Sequence, residues 1–421
     1  MPLSRRSPLA AATAAWLAAA APTQGDLDAD VRQALDAARP ALMAHLREVA
    51  EQPSRPGELA LLTLAAIHDG IAADDEVLGR AIARLAKAQV DQTYDLALRL
   101  CVLEAWPAFP DRAKIAAADT KELLTHRDRS GGFGYTRASG EWDLSNTQYA
   151  ALGLRAGAAL GATVDRRVWA RLADEIGAQQ DPYGGFGYRR RNSGFASYAS
   201  MTAAGIAVLA ICRQHLPQPT EELDRRIGRG WQWFARNVDT IGSPDERWSF
   251  YFHYGLERAA ILTDQIDVGG ADWYRRGAQM LVRLQMPGGG WTSAADGHLG
   301  THADRGRGHG VPTAFAVLFL RRKFQKETAA VTAHVVRLVN LGPHSKDADV
   351  NVCAEQLVQR GKAALPEVLQ ALRSDVAPQR RAAARALQEL AGGTFGYDAG
   401  KDAAANRDAV KAAELWYLKH R

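Results

Sequence analysis

Cysteine is scarce: Cys101, Cys212 and Cys353 are the three in 421 residues. They lie far apart within apolar, helix-like runs, so neither a disulfide framework nor a cysteine-rich zinc site is expected. They read as buried free thiols. Charge of one sign is missing too. The formal net charge is +5, and with Arg5 and Arg6 set aside the remainder is nearly balanced. No basic stripe interleaved with aromatics is present, which speaks against nucleic acid as a partner. Long apolar runs are absent, so no stable membrane anchor is expected. Strand-type alternation is also missing, which excludes a sheet-based fold.

The first 25 residues, MPLSRRSPLAAATAAWLAAAAPTQG, have a basic start, a short alanine-rich stretch and small residues before a polar segment. That is the grammar of a signal peptide, with an alanine-rich helix start as the alternative. The expectation is an exported protein, periplasmic or extracellular, with residues 1–25 as signal, 26–325 as the main body and 326–421 as a second segment.

What is present in quantity is helical periodicity, and it comes in pairs. The spacing predicts helices over 27–50 and 57–68, 76–89 and 93–107, and 112–126 and 144–158. Further pairs fall at 164–179 and 197–214, 220–237 and 247–263, and 270–285 and 308–323. First members such as VLGRAIARLAKAQ carry charges on one face, as a half-exposed helix does; second members such as YASMTAAGIAVLAI are apolar all round and need burial on several sides. An outer ring of amphipathic helices around an inner ring of apolar ones meets both demands. The expected fold is all-α, an (α/α)6 toroid.

Between the members of two pairs the chain spells GGFGY, at 131–135 and 184–188, with a relative, GGGW, at 288–291 and a decayed copy expected in NVDTIGSPDERW. Glycine there lets the chain leave a helix with positive φ and turn sharply. A phosphate-binding loop would need a preceding strand, and none is predicted. After residue 325, GKAALPEVLQALRSDVAPQRRAAARALQELAGG reads as two antiparallel helices resembling a HEAT-type repeat, followed by one amphipathic helix at the end of the chain.

RRGAQMLVRLQMPGGGW (275–291) resembles the QW motif of the squalene cyclases, with Gln285 and Trp291 in place and Met280 where an aromatic is usual. GGFGY is similar to the corresponding turn in protein prenyltransferase β subunits. The chain thus resembles the prenyltransferase and squalene cyclase toroids, in an exported bacterial branch carrying a C-terminal HEAT-like segment. The resemblance implies the architecture and, by default, terpenoid cyclisation or prenyl transfer. The motifs of those reactions are not matched: AADDEV offers Asp74 and Asp75 only at a helix-capping position, and SGFASYASM and GHGVPTAF lack the ligands of a prenyltransferase zinc.

Candidate chemistry lies in two places. DGHLGTHADRGRGHG brings His298, His302, Asp304 and His309 into one glycine-rich segment that could hold zinc or another transition metal, or carry solvated side chains. RWSFYFHYGLERA places Trp248, Tyr251, His253, Tyr254 and Glu257 at an inner-helix start, where His253 and Glu257 could form an acid–base pair and the aromatics a ligand pocket or a core. Other inner-helix starts supply Tyr94 and Asp95, Asp143 with Asn146, and Tyr198 with Ser200. If the ring closes, all these starts face one end, and a pocket belongs there. Two functions stay open: a non-catalytic exported scaffold or binding module taking an apolar ligand, a glycan or a protein, with no cofactor required; or an enzyme of the toroid cavity, terpenoid or metal-dependent.

Overall fold

The structure, a computed structural model, describes residues 24–51, 56–189, 196–216, 221–292, 308–321, 341, 345, 347–359 and 364–420. The chain divides into two compact units, residues 1–321 and 322–421.

The described part of the first unit is six helix pairs. The outer members are α1 (Gln24–Glu51), α3 (Glu76–Lys87), α5 (Arg112–Leu124), α7 (Arg166–Gln179), α9 (Glu221–Arg236) and α11 (Trp273–Leu284). The inner members are α2 (Pro56–His68), α4 (Thr93–Ala105), α6 (Leu144–Ala159), α8 (Ala199–His215), α10 (Ser249–Leu262) and α12 (310–321). α3 shows how an outer helix is specified. Asp75 caps it by accepting from the Val77 and Leu78 amides at 2.9 and 3.0 Å, and Val77, Leu78, Ala81, Ile82 and Leu85 form one buried stripe. In α8 every residue from Ala199 to Cys212 is buried, because a helix inside a ring has neighbours on all sides.

Five helices, α7, α8, α10, α11 and α12, begin two or three residues later than their periodicity implies, and in two of them the cause is local. Trp248, with φ 60°, ends the turn before α10. The antiparallel hairpin of β1 (Asp267–Val268) and β2 (Ala271–Asp272) occupies the expected start of α11, and Asp272 caps that helix through the Arg275 amide at 2.9 Å. This hairpin is the exception to the strand-free reading. Its glycine pair makes a turn too local to register as alternation.

The inner helices pack in sequence, α2 on α4, α4 on α6, α6 on α8 and α8 on α10. α10 meets α12 through Tyr251 and Tyr254 against Phe315, with ring centroids 6.1 and 5.2 Å apart. Four glycine joints tie the third, fourth, fifth and sixth pairs each to the next around the ring. Gly131, Gly184, Gly242 and Gly289 all have positive φ, from 80° to 119°. Each lies against a backbone carbonyl of the following outer helix: Arg171 in α7, Arg229 in α9, Arg276 in α11 and Ala37 in α1. A side chain there would be strained and would also strike that carbonyl. Gly242 is thus the glycine of the decayed copy. The aromatics after three of these joints, Phe133, Phe186 and Trp291, are fully buried. Their amides donate to Thr147, Thr202 and Thr313 on the next inner helix at 3.0, 3.2 and 3.0 Å.

Gln180 donates to the Gly184 carbonyl at 2.9 Å and to the Arg226 carbonyl of α9 at 2.8 Å. Gln285 repeats the pattern with Gly289 and with Ala34 of α1, both at 2.7 Å. The sixth pair therefore treats the first outer helix as its successor, and the ring closes. Asp69, at the end of α2, completes the seam by accepting from Arg39 of α1 at 2.8 Å and Arg321 of α12 at 2.7 Å.

The second unit contains α13 (Asp347–Gln359), α14 (Leu365–Ala371), α15 (Ala377–Ala391) and α16 (Arg407–His420). Pro378 lies in the first turn of α15, and Gly392 ends it in the left-handed region. Leu357, Val368, Leu372, Ala383, Leu387 and Val410 are among its core residues, and the Tyr397 hydroxyl donates to the Leu372 carbonyl at 2.6 Å.

Candidate functional site

All six inner helices present their first turns to one cavity of about 730 Å³. Gly57, Glu58 and Leu61 come from α2, Tyr94, Asp95 and Leu98 from α4, and Ser145 and Tyr149 from α6. Tyr198, Ser200 and Met201 come from the start of α8, Trp248 and Tyr251 from that of α10, and Val311 and Phe315 from α12. Tyr135, Tyr188 and Arg189 enter from the GGFGY joints, and Arg247 from the segment before α10. Equivalent helices running in the same direction around a closed ring place their starts at one end, which is why residues spread over 250 positions of sequence meet here.

The wall is aromatic and its hydroxyls are linked. The Tyr94 and Tyr149 rings are 4.6 Å apart, and Tyr149 and Tyr251 stack at 6.2 Å. The Ser145 hydroxyl lies 2.5 Å from Tyr94 OH and 2.6 Å from Tyr251 OH, joining three helices. Tyr135 and Tyr188, equivalent residues of the two joints, share a hydrogen bond of 3.0 Å. Burial raises the pKa of Tyr94 and Tyr149 well above the usual phenol value and pushes Tyr198 up to about 12, so these groups act as neutral hydroxyls.

Asp95 is the titratable group of most interest. Burial, reinforced by Asp91, raises its carboxyl to about 6 against the opposing pull of the Gly57 N–H and Arg99. Gly57 allows that approach, since a Cβ at this position would overlap the carboxylate. A carboxyl so poised exchanges its proton near neutral pH.

The candidates from the sequence divide. Tyr94, Asp95, Tyr198, Trp248 and Tyr251 stand on the cavity wall. Tyr254 does not: it is buried one turn along α10, where its hydroxyl accepts from Arg258. His253 and Glu257 do not form an acid–base pair. His253 is fully buried, its Nε2 accepts from the Gly242 amide at 2.9 Å, and its Nδ1 donates to the Ser249 carbonyl at 2.7 Å. Desolvation lowers it to about 4. It is a neutral strut holding the Gly242 joint. Glu257 is buried beside Arg258, 3.9 Å away, and is not on the cavity wall. Asp143 caps α6, accepting from the Asn146 amide and side chain, both at 2.8 Å. Burial raises its pKa, but its oxygens are engaged in the cap. Helical spacing had put these groups on plausible faces, yet the faces turn into the protein.

His298, His302 and Asp304 lie outside the described residues. His309 pairs through Nδ1 with the Thr292 hydroxyl at 2.7 Å. Among the described residues, no group of three or more His, Cys, Asp or Glu side chains is arranged to hold a metal. No described helix is long and apolar enough to cross a membrane.

Sequence reasoning missed Tyr149, Phe315, Glu58, Arg189 and Arg247, and gave Tyr135 and Tyr188 no place in a site. A signal was present for Tyr149 and Phe315: each lies four or five residues inside an inner-helix start, on the second exposed step of the wall.

No protein-family model matches the chain, and no curated protein matches it. Among solved structures it is similar to the type II terpene cyclase MstE from Scytonema in its apo form. The identity is 15%, over 70% of this chain and 98% of that one, with a TM-score of 0.47. A variant of that enzyme in complex with its substrate, geranylgeranyl dihydroxybenzoate, matches at 13% identity over 70% and 98%, also with a TM-score of 0.47.

Proposed function

We propose that the ring is a small-molecule binding protein whose ligand, compact and largely apolar, sits among the inner-helix starts. The observation that carries this is the aromatic cavity of about 730 Å³ to which every inner helix contributes. That volume lies within the range of ligand pockets, and its lining of ring faces with a few fixed polar groups is what such pockets use. A ring built only as a scaffold gains more by filling its centre, because an empty cavity forfeits dispersion contacts. The exported setting expected from residues 1–25 would place the ligand outside the cytoplasm.

Native mass spectrometry of protein purified from its own compartment tests the reading. A retained small-molecule mass is expected, and Ser200→Trp, which fills the cavity, should release it while the protein stays folded. Protein that arrives empty and takes up no small apolar probe would refute the proposal.

A second reading, acid-catalysed conversion of a bound alkene, is favoured by Asp95. A carboxyl with a pKa of about 6 can donate a proton near neutrality, and the surrounding rings would stabilise positive charge on the substrate. Incubation with isoprenoid alkenes should then give products that vanish in Asp95→Asn.

A further inference from the structure

A carboxylate, Asp95, stands among the aromatic rings of the cavity wall, and this bears on the ligand. We infer that the molecule it takes carries a cationic amine beside its apolar body, with the cation held between the Asp95 carboxylate and the faces of the tyrosine rings. This rests on the reading of the cavity as a ligand site and specifies what enters it.

Two features support the assignment. The first is how the hydroxyls are used. Tyr94 and Tyr251 both bond Ser145, Tyr135 bonds Tyr188, and Tyr188 in turn bonds the Asp143 carboxylate. With their edges tied to one another, the tyrosines offer the cavity mainly their faces, whose negative quadrupole attracts a cation.

The second is Asp95 itself. Its hydrogen-bond donor is the Gly57 N–H, and among the described residues it forms no ion pair. Arg99, the guanidinium that lowers its pKa, is spent elsewhere. It holds Asp119 through two bonds of 2.7 and 2.6 Å and caps the Leu85 and Ala88 carbonyls at 3.1 and 2.7 Å. A neutral ligand filling the cavity would strip water from the carboxylate and leave it uncompensated, whereas a cation compensates it.

The lining also includes Ser200 of α8, whose side chain is sealed by its neighbours at 1% exposure. The guanidinium groups of the lining, Arg189 and Arg247, belong to exposed residues, and Arg189 faces Glu141 at 3.6 Å. They do not reverse the sign of the interior.

Isothermal titration calorimetry with three probes sharing one compact apolar body decides the matter: adamantyltrimethylammonium, adamantanol and adamantane carboxylate. The cation is expected to bind about tenfold or more tightly than the alcohol, with the carboxylate weakest. Asp95→Asn should erase the preference for the cation over the alcohol, and Tyr149→Leu should reduce that preference severalfold. If alcohol and cation bind equally, or the carboxylate binds best, the inference fails while the cavity reading stands. If none of the three binds, both fail. Should Asp95→Asn not fold, the order of the three probes on the unaltered protein decides.

Discussion

Arg321 and Asp69 are 252 positions apart in sequence, and the guanidinium Nε meets the carboxylate Oδ1 at 2.7 Å. Asp69 also holds Arg39 at 2.8 Å, and its side chain is 1% exposed while the two arginines keep 21% and 43% of theirs in solvent. One carboxylate therefore joins α1, the end of α2 and α12, where the first and last pairs of the ring meet.

Removing that carboxylate should loosen the seam. Asp69→Ala leaves two partly exposed guanidinium groups that can rehydrate, so the cost is expected at about 2 kcal/mol rather than the larger figure for a fully buried pair. Arg321→Ala should cost less, because Arg39 still satisfies Asp69. Urea unfolding followed by tryptophan fluorescence measures both, as a lower midpoint with an unchanged slope.

The joints give a sharper contrast. Gly184→Ala places a Cβ against the Arg229 carbonyl at a φ of +96°, and a loss of at least about 3 kcal/mol is expected. Gly228→Ala, within α9 and with open space around its Cβ, should gain up to about 1 kcal/mol. Equal effects from the two substitutions would contradict the joint as described.

His253 makes stability depend on pH. Its folded pKa of about 4 lies below the ordinary imidazole value of 6.5, so the unfolded chain binds the extra proton between these limits. The stability linked to neutral His253 is present above pH 6.5 and is lost as pH falls toward 4, by on the order of 3 kcal/mol. Melting temperatures of the unaltered protein and His253→Gln should converge as pH falls through that window.

Asp95 works in the opposite sense. Its carboxyl is raised from 3.8 to about 6, so the folded state holds the extra proton and stability falls as pH rises from about 4 to about 6. The groups that set this are Asp91 and burial on one side, the Gly57 N–H and Arg99 on the other, with Glu58 on the adjoining wall. Asp95→Asn should therefore be more stable than the unaltered protein at pH 7.5, by on the order of 3 kcal/mol, and equal to it near pH 4. Differential scanning calorimetry at the two pH values checks the crossover.

The fold was legible in the sequence because its signals are local. The charged stripe of α3, the all-apolar run of α8 and the spacing of Gly131 and Gly184 each report a helix or a turn from a few neighbouring residues. The site was legible only in part. Tyr94, Asp95 and Tyr251 could be placed because a helix start announces itself. Which way an inner helix is rotated about its axis is decided by neighbours from distant sequence, and so Tyr254, His253 and Glu257 were assigned to a surface they do not reach. The unusual environment of Asp95 depends on Gly57, 38 positions away, and no spacing rule links those two residues.

Gln285 reaches Ala34 as Gln180 reaches Arg226. The ring thus uses the same bond where the polypeptide is continuous and where it is not, and the order of its pairs has no structural origin. New ends could be opened at another seam, and the present ones joined through a linker, without asking any helix to find a different neighbour. The chain's linear numbering describes how it is made; its contacts describe a circle.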